Sequence, residues 1–175
     1  MSGALSHPWY VGAWRRRSIV VPGGEPTEPC EAWWIQSSDV YVDIRVALPG
    51  HDDNGLPYSS TRAFAGVFEI ADGHSCWHVE LDSGDVAPRT DRAAAAGLYL
   101  DPANPDVLIE DAPGRFREVW VQQAVGDAVQ VVHHEYLIAV RIGDVVGVVE
   151  SIDGQSSGGT VRGRAWHGAG SITTG

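Results

Sequence analysis

The chain of 175 residues contains no lysine; all 12 of its basic residues are arginine. Schiff-base chemistry, a pyridoxal phosphate anchor and a Walker A loop all need that amine, so each is excluded. Positive charge is scarce overall. The 12 bases face 23 acids, for a formal charge of −11, and phosphate binding needs the opposite balance, so nucleic acid is not the expected partner. Cysteine is limited to Cys30 and Cys76. Residues 1–10 show no basic end followed by an apolar run, so no secretory signal is expected there. Two thiols without such a signal are expected to be free, in a cytoplasmic protein. No apolar run approaches the roughly 18 residues of a spanning helix, so no membrane segment is expected.

Site motifs are equally sparse. There is no His-Glu-x-x-His, no Cys-x-x-Cys, no Gly-x-Ser-x-Gly elbow and no Gly-x-Gly-x-x-Gly after a strand. His133, His134 and Glu135 are adjacent, but neighbours on a strand point to opposite faces and cannot chelate together. His74 and His78 have helical spacing across what reads as a turn and a strand. No metal and no cofactor is therefore expected.

What the chain does contain is short runs of Val, Ile, Trp, Tyr and Phe punctuated by Gly, Pro, Asp and Asn, the pattern of strands. Runs at 13–21, 31–36, 41–48, 62–70, 75–81, 115–123, 128–135, 136–142 and 145–150 read as strands, with shorter ones at 98–100 and 107–110. Asp72-Gly73, Gly126-Asp127 and Gly143-Asp144 carry turn chemistry. Residues 49–60 and 82–92 read as loops, and 93–96 as one short helical turn. The expectation is an all-β fold, a single antiparallel barrel of about ten strands with little helix, since closure removes exposed edges. Residues 1–150 would form the barrel. Residues 151–175, rich in Gly and Ser, would form a tail with one short strand near 160–166.

Gly12-Ala13-Trp14, at the start of the first strand, resembles the Gly-x-Trp signature of lipocalins and their calycin relatives. The resemblance implies a barrel closed at one end by Trp14, with a late-strand arginine packed over the indole. Arg141, Arg162 and Arg164 are the candidates for that arginine. It also implies binding of a small apolar molecule, in some members with enzymatic activity.

Strand alternation then sorts the side chains. Trp14, Arg16 and Ser18 share one face of their strand, and Phe116, Glu118, Trp120 and Gln122 share one face of theirs. On 75–81, Trp77, Val79 and Leu81 oppose Cys76, His78, Glu80 and Asp82. Mixed aromatic and polar faces suit a pocket wall. Arg16, Trp34, Gln36, Phe68, Glu80, Trp120 and Gln122 are the candidate ligand-binding residues. His78 and Glu118 are the candidate acid and base, with Arg16 positioned for a developing anion. Asp43 and Arg45 read as an ion pair on the barrel exterior.

Two functions follow. The first is binding of a small apolar or aromatic molecule inside the barrel. The second is a cofactor-independent enzyme in the same cavity, of isomerase, cyclase, dehydratase or lyase type. A barrel serving only as an interaction scaffold is the plainest third. Trp9 and Trp33 are the candidates for a homodimer contact.

Overall fold

A computed structural model of the chain describes residues 8–51, 61–72, 74–84, 89–92, 97–125, 129–154 and 161–174. Fourteen strands occur in chain order: β1 Gly12–Val20, β2 Cys30–Gln36, β3 Val40–Ala47, β4 Arg62–Ala71, β5 His74–Asp82, β6 Arg89–Arg92, β7 Leu98–Asp101, β8 Asn104–Ala112, β9 Phe116–Val125, β10 Val129–His134, β11 Leu137–Ile142, β12 Val145–Ser151, β13 Val161–His167 and β14 Gly170–Thr173. Among the described residues there is no helix, and none long and apolar enough to cross a membrane. The short helical turn expected at 93–96, the Gly126-Asp127 turn and most of the 49–60 loop lie outside the described residues.

The strands form two antiparallel sheets rather than one barrel. The first runs β6-β5-β4-β3-β2-β1-β9-β8-β7, and the second runs β10-β11-β12-β13-β14. The chain therefore does not end its sheets at residue 150: β13 and β14 complete the second sheet, and Thr174 N–H still bonds the Gly163 carbonyl at 2.9 Å. β13 is the short strand expected near 160–166, and the Gly/Ser-rich composition hid only β14.

The first sheet is strongly curled. Strands β2 and β5 are separated by β3 and β4, which in a flat sheet means about 14 Å, three steps of nearly 5 Å. Yet the rings of Trp34 on β2 and Trp77 on β5 lie 5.1 Å apart. Only a sheet wrapped around that face brings them together, and the result is a half-barrel. Its concave face carries Trp14, Trp34, Tyr41, Phe68, Leu108 and Trp120 as one buried cluster.

The opposite face is as apolar, for a separate reason. Ala13, Trp33, Ile35, Val42, Ile44, Ala63, Ala65 and Leu81 pack there against Ile138, Val140, Ile142, Val145, Val149 and Ala165 of the second sheet. A sheet apolar on both faces has both faces covered, and here the second sheet is one of the covers. Two glycines permit the contact. A Cβ on Gly163 would overlap the Ala63 methyl, and one on Gly147 would overlap Val42 and lie 2.6 Å from Ile35 Cδ1. The β11–β12 hairpin closes through Gly143 at φ 58°, a conformation glycine adopts without penalty.

Bulges revise the strict alternation. Between β4 and β5 the register shifts, with Ala65 opposite Leu81 and Gly66 opposite Val79. Leu81 therefore joins the face toward the second sheet, while Asp82 turns to pair with Arg62. A second shift, between Arg16 and Ser18, separates Ser18 from the face of Trp14 and Arg16. Such a one-residue insertion moves every later side chain across the sheet.

Candidate functional site

The concave face of the first sheet gathers most of the candidate residues. Its floor is aromatic. Trp34 sits at the centre, 6.3 Å from Trp14, 6.0 Å from Trp120, 6.2 Å from Phe68 and 5.1 Å from Trp77. Tyr41 meets Trp77 at 5.0 Å and Phe64 at 6.1 Å. Most pairs are edge-to-face, which suits the ring quadrupoles. Trp14, Trp34, Phe68 and Trp120 are fully buried, whereas Phe64, Trp77, Leu98 and Leu100 are half-buried against them. Two indole N–H groups are satisfied locally: Trp14 donates to the Tyr10 carbonyl at 3.0 Å and Trp34 to Gln36 Oε1 at 3.1 Å. Gln36 in turn donates to the Ser37 carbonyl at 2.9 Å. The indole N–H of Trp120 is buried with no acceptor.

Beside the rings lies a charged cluster. Arg16 donates from Nε and Nη2 to the two Glu28 oxygens, both at 2.9 Å, and from Nη1 to Glu118 Oε1 at 2.6 Å. Its guanidinium also stands 5.9 Å over the Trp120 ring. Arg45 chelates Asp43 at 2.8 and 2.9 Å and approaches Glu118 Oε1 at 3.6 Å. Glu110 lies directly across the strand pair from Glu118. Burial opposes the charge on Arg16, but Glu118 and Glu28 outweigh it and its pKa is raised. Burial likewise opposes the charge on Arg45, and Asp43 and Glu118 outweigh it. Glu110 shifts most tellingly: burial first, then the Glu118 charge, push its carboxyl well above the usual carboxylate range. Burial also raises the Cys30 thiol, so Cys30 is not set up as a nucleophile.

The sequence-derived candidates divide by face. Arg16, Trp34, Gln36, Phe68, Glu118, Trp120 and Gln122 share the concave side, Gln122 opposite Trp14 at its half-buried margin. His78 does not meet Glu118. Its Nε2 contacts Glu69 Oε1 at 3.0 Å on the outer face, where both side chains are well exposed. Glu80 pairs with His133 of the second sheet at 2.7 Å. The Asp43–Arg45 pair forms, but inside the curl rather than on the exterior. Arg16 is held by carboxylates, so it is not free to receive an anion. No late-strand arginine covers Trp14: Arg141 bonds the Gly143 carbonyl, Arg162 pairs with Glu150, and Arg164 alternates with the core-facing Gly163 and Ala165. Trp33 is buried against His167, and Trp9 is exposed.

Sequence reasoning did not single out Glu110, Glu28, Trp77, Phe64 or Tyr41 as site residues. Trp77 was within reach, since it shares a strand with His78 on the opposite face. Glu110 becomes visible only once β8 is known to lie beside β9.

A cleft of about 410 Å³ borders the cluster from the flank, lined by Arg15, Arg17, Glu28, Cys30, Glu31 and Leu48 among others. Among the described residues no group of three or more His, Cys, Asp and Glu could hold a metal ion. No protein-family model, no curated protein and no solved structure matches the chain.

Proposed function

We propose that the protein binds a small molecule with an aromatic or apolar body on the concave face of the first sheet. The half-buried Phe64, Trp77, Leu98 and Leu100 would meet the body of the ligand, over the floor of Trp14, Trp34, Phe68 and Trp120. The observation that carries this reading is a buried polar atom on that face: the Trp120 indole N–H has no acceptor. Buried polar groups are nearly always paired, and an unpaired one costs about 1–3 kcal/mol. A binding site is where such a cost is repaid by the ligand.

The acid–base alternative cannot use His78 with Glu118, because the two lie on opposite faces. Native mass spectrometry with a panel of small aromatic compounds tests the binding reading. One-to-one adducts are expected with the unaltered protein and are lost in Trp77→Ala, with circular dichroism confirming the fold. Adducts that survive Trp77→Ala unchanged would move the site elsewhere.

A further inference from the structure

The polar end of the concave face has more acids than its bases can neutralise. Arg16 and Arg45 are the two cations, and Glu28, Asp43, Glu118 and Glu110 are the four carboxyls around them. Three of the acids have guanidinium partners in direct contact. Glu28 takes two donors from Arg16, Asp43 takes two from Arg45, and Glu118 shares its Oε1 between both arginines. Glu118 Oε2 is left buried without an N–H or hydroxyl donor. Glu110 stands opposite Glu118 in register, on the adjacent strand. Two ionised carboxylates at that separation repel strongly, whereas one proton between them converts repulsion into a hydrogen bond.

We propose that Glu110 and Glu118 share one proton, and that Glu110 uses it to donate a hydrogen bond to the ring nitrogen of an aromatic base bound on the concave face. The assignment rests on the binding reading above and specifies its ligand. Glu110 is the member reachable from outside, being half-buried where Glu118 is 1% exposed. Leu98, half-buried and opposite Glu110 in register, and Trp77 offer apolar surface for the flat ring. Trp120, two residues beyond Glu118 on the same face, adds an unused N–H for a second acceptor on the ligand. No bond breaks: the Glu110 O–H turns toward the nitrogen lone pair and the proton stays on Glu110, so the two carboxyls are never ionised together. An anionic ligand meets the opposite situation, since both arginines are already engaged by carboxylates and the cluster is net negative. The upward displacement of the Glu110 pKa, caused by burial and the neighbouring charge of Glu118, agrees with a proton resident there.

Three probes of one shape separate the outcomes: quinoline, naphthalene and naphthoate. Binding is followed by two-dimensional NMR of the indole N–H groups, near neutral pH. Quinoline is expected to bind roughly severalfold to tenfold more tightly than naphthalene, the fold-change of one hydrogen bond, and naphthoate more weakly than either. In Glu110→Gln, naphthalene binding should persist while the quinoline preference falls to about one. Equal binding of quinoline and naphthalene by the unaltered protein overturns the hydrogen-bond donor assignment and leaves the concave site standing. Preference for naphthoate overturns it as well. Failure of all three to shift any concave-face indole overturns both this assignment and the binding reading beneath it.

Discussion

The interlock of the two sheets can be tested by adding a single methyl group. Gly163 on β13 faces Ala63 on β4, and a Cβ at 163 would overlap the Ala63 methyl and stand 3.1 Å from Ile44 Cγ1. Both obstacles lie close to backbone, so neither moves by simple rotation of a long side chain. Comfortable carbon–carbon contact is about 3.5–4.0 Å, so Gly163→Ala must push the sheets apart locally. Inserting one methyl into a packed core costs about 1–3 kcal/mol. At this chain length each kcal/mol lowers Tm by about 2–4 °C. Ala63→Gly alone should cost about 0.5–1 kcal/mol through strand entropy, plus the lost methyl contact. The double variant returns the methyl to the space it vacated. A double-mutant cycle in urea, read by tryptophan fluorescence, should therefore give a favourable coupling of about 1 kcal/mol or more. A neutral Gly163→Ala, or a double variant that simply sums the two costs, would refute close packing of β13 on β4.

Other expectations concern the charged cluster. Glu110 holds its proton in the folded state to higher pH than when unfolded, where a glutamate titrates near 4.3. The folded form therefore binds more protons above that value, and this contribution to stability falls as pH rises toward the raised folded pKa. Glu110→Gln removes the fall, so its stability relative to the unaltered protein should climb with pH; denaturant midpoints at pH 5 and pH 8 check this, and a constant difference would contradict it. Arg16→Met leaves Glu28 and Glu118 without their shared cation inside the sheet. It should cost about 3–5 kcal/mol in the same denaturation assay, and a loss below about 1 kcal/mol would mean the cluster is solvated. His78→Ala should change stability by no more than about 0.5 kcal/mol and leave binding of any concave-face ligand unaltered, because its Glu69 partner is on the outer surface.

The all-β composition and most strand positions were legible, because alternation and turn residues are local signals. The hairpin at Gly143-Asp144 and the turn at Asp72 are examples. How the strands assemble was not legible. Nothing local in β10–β14 says that these strands leave the first sheet and cover its outer face. The apolar sets on both faces of β2 and β3, with Trp33, Ile35, Val42 and Ile44 opposing Trp34 and Tyr41, were the available sign that both faces are covered. Face-sharing within a strand was legible where the strand is regular: Trp14 lies with Arg16, and Glu118 with Trp120, as parity requires. Which face turns inward was not legible: His78 and Glu80 face out, and Asp43 and Arg45 face in. Glu28 was missed because its partner Arg16 lies 12 positions away on β1, and Glu110 because its place beside Glu118 depends on the β8–β9 register. The carboxylate excess at the site is a property of the assembled sheet alone.

The most direct measurement is an indole N–H map of the seven tryptophans during titration with naphthalene or quinoline. Binding on the concave face predicts saturable shifts of Trp77, Trp34 and Trp120 together, with Trp9 and Trp166, both exposed elsewhere, unmoved. Shifts confined to Trp9 or Trp166, or no saturable shift at all, would contradict a ligand site inside the curled sheet.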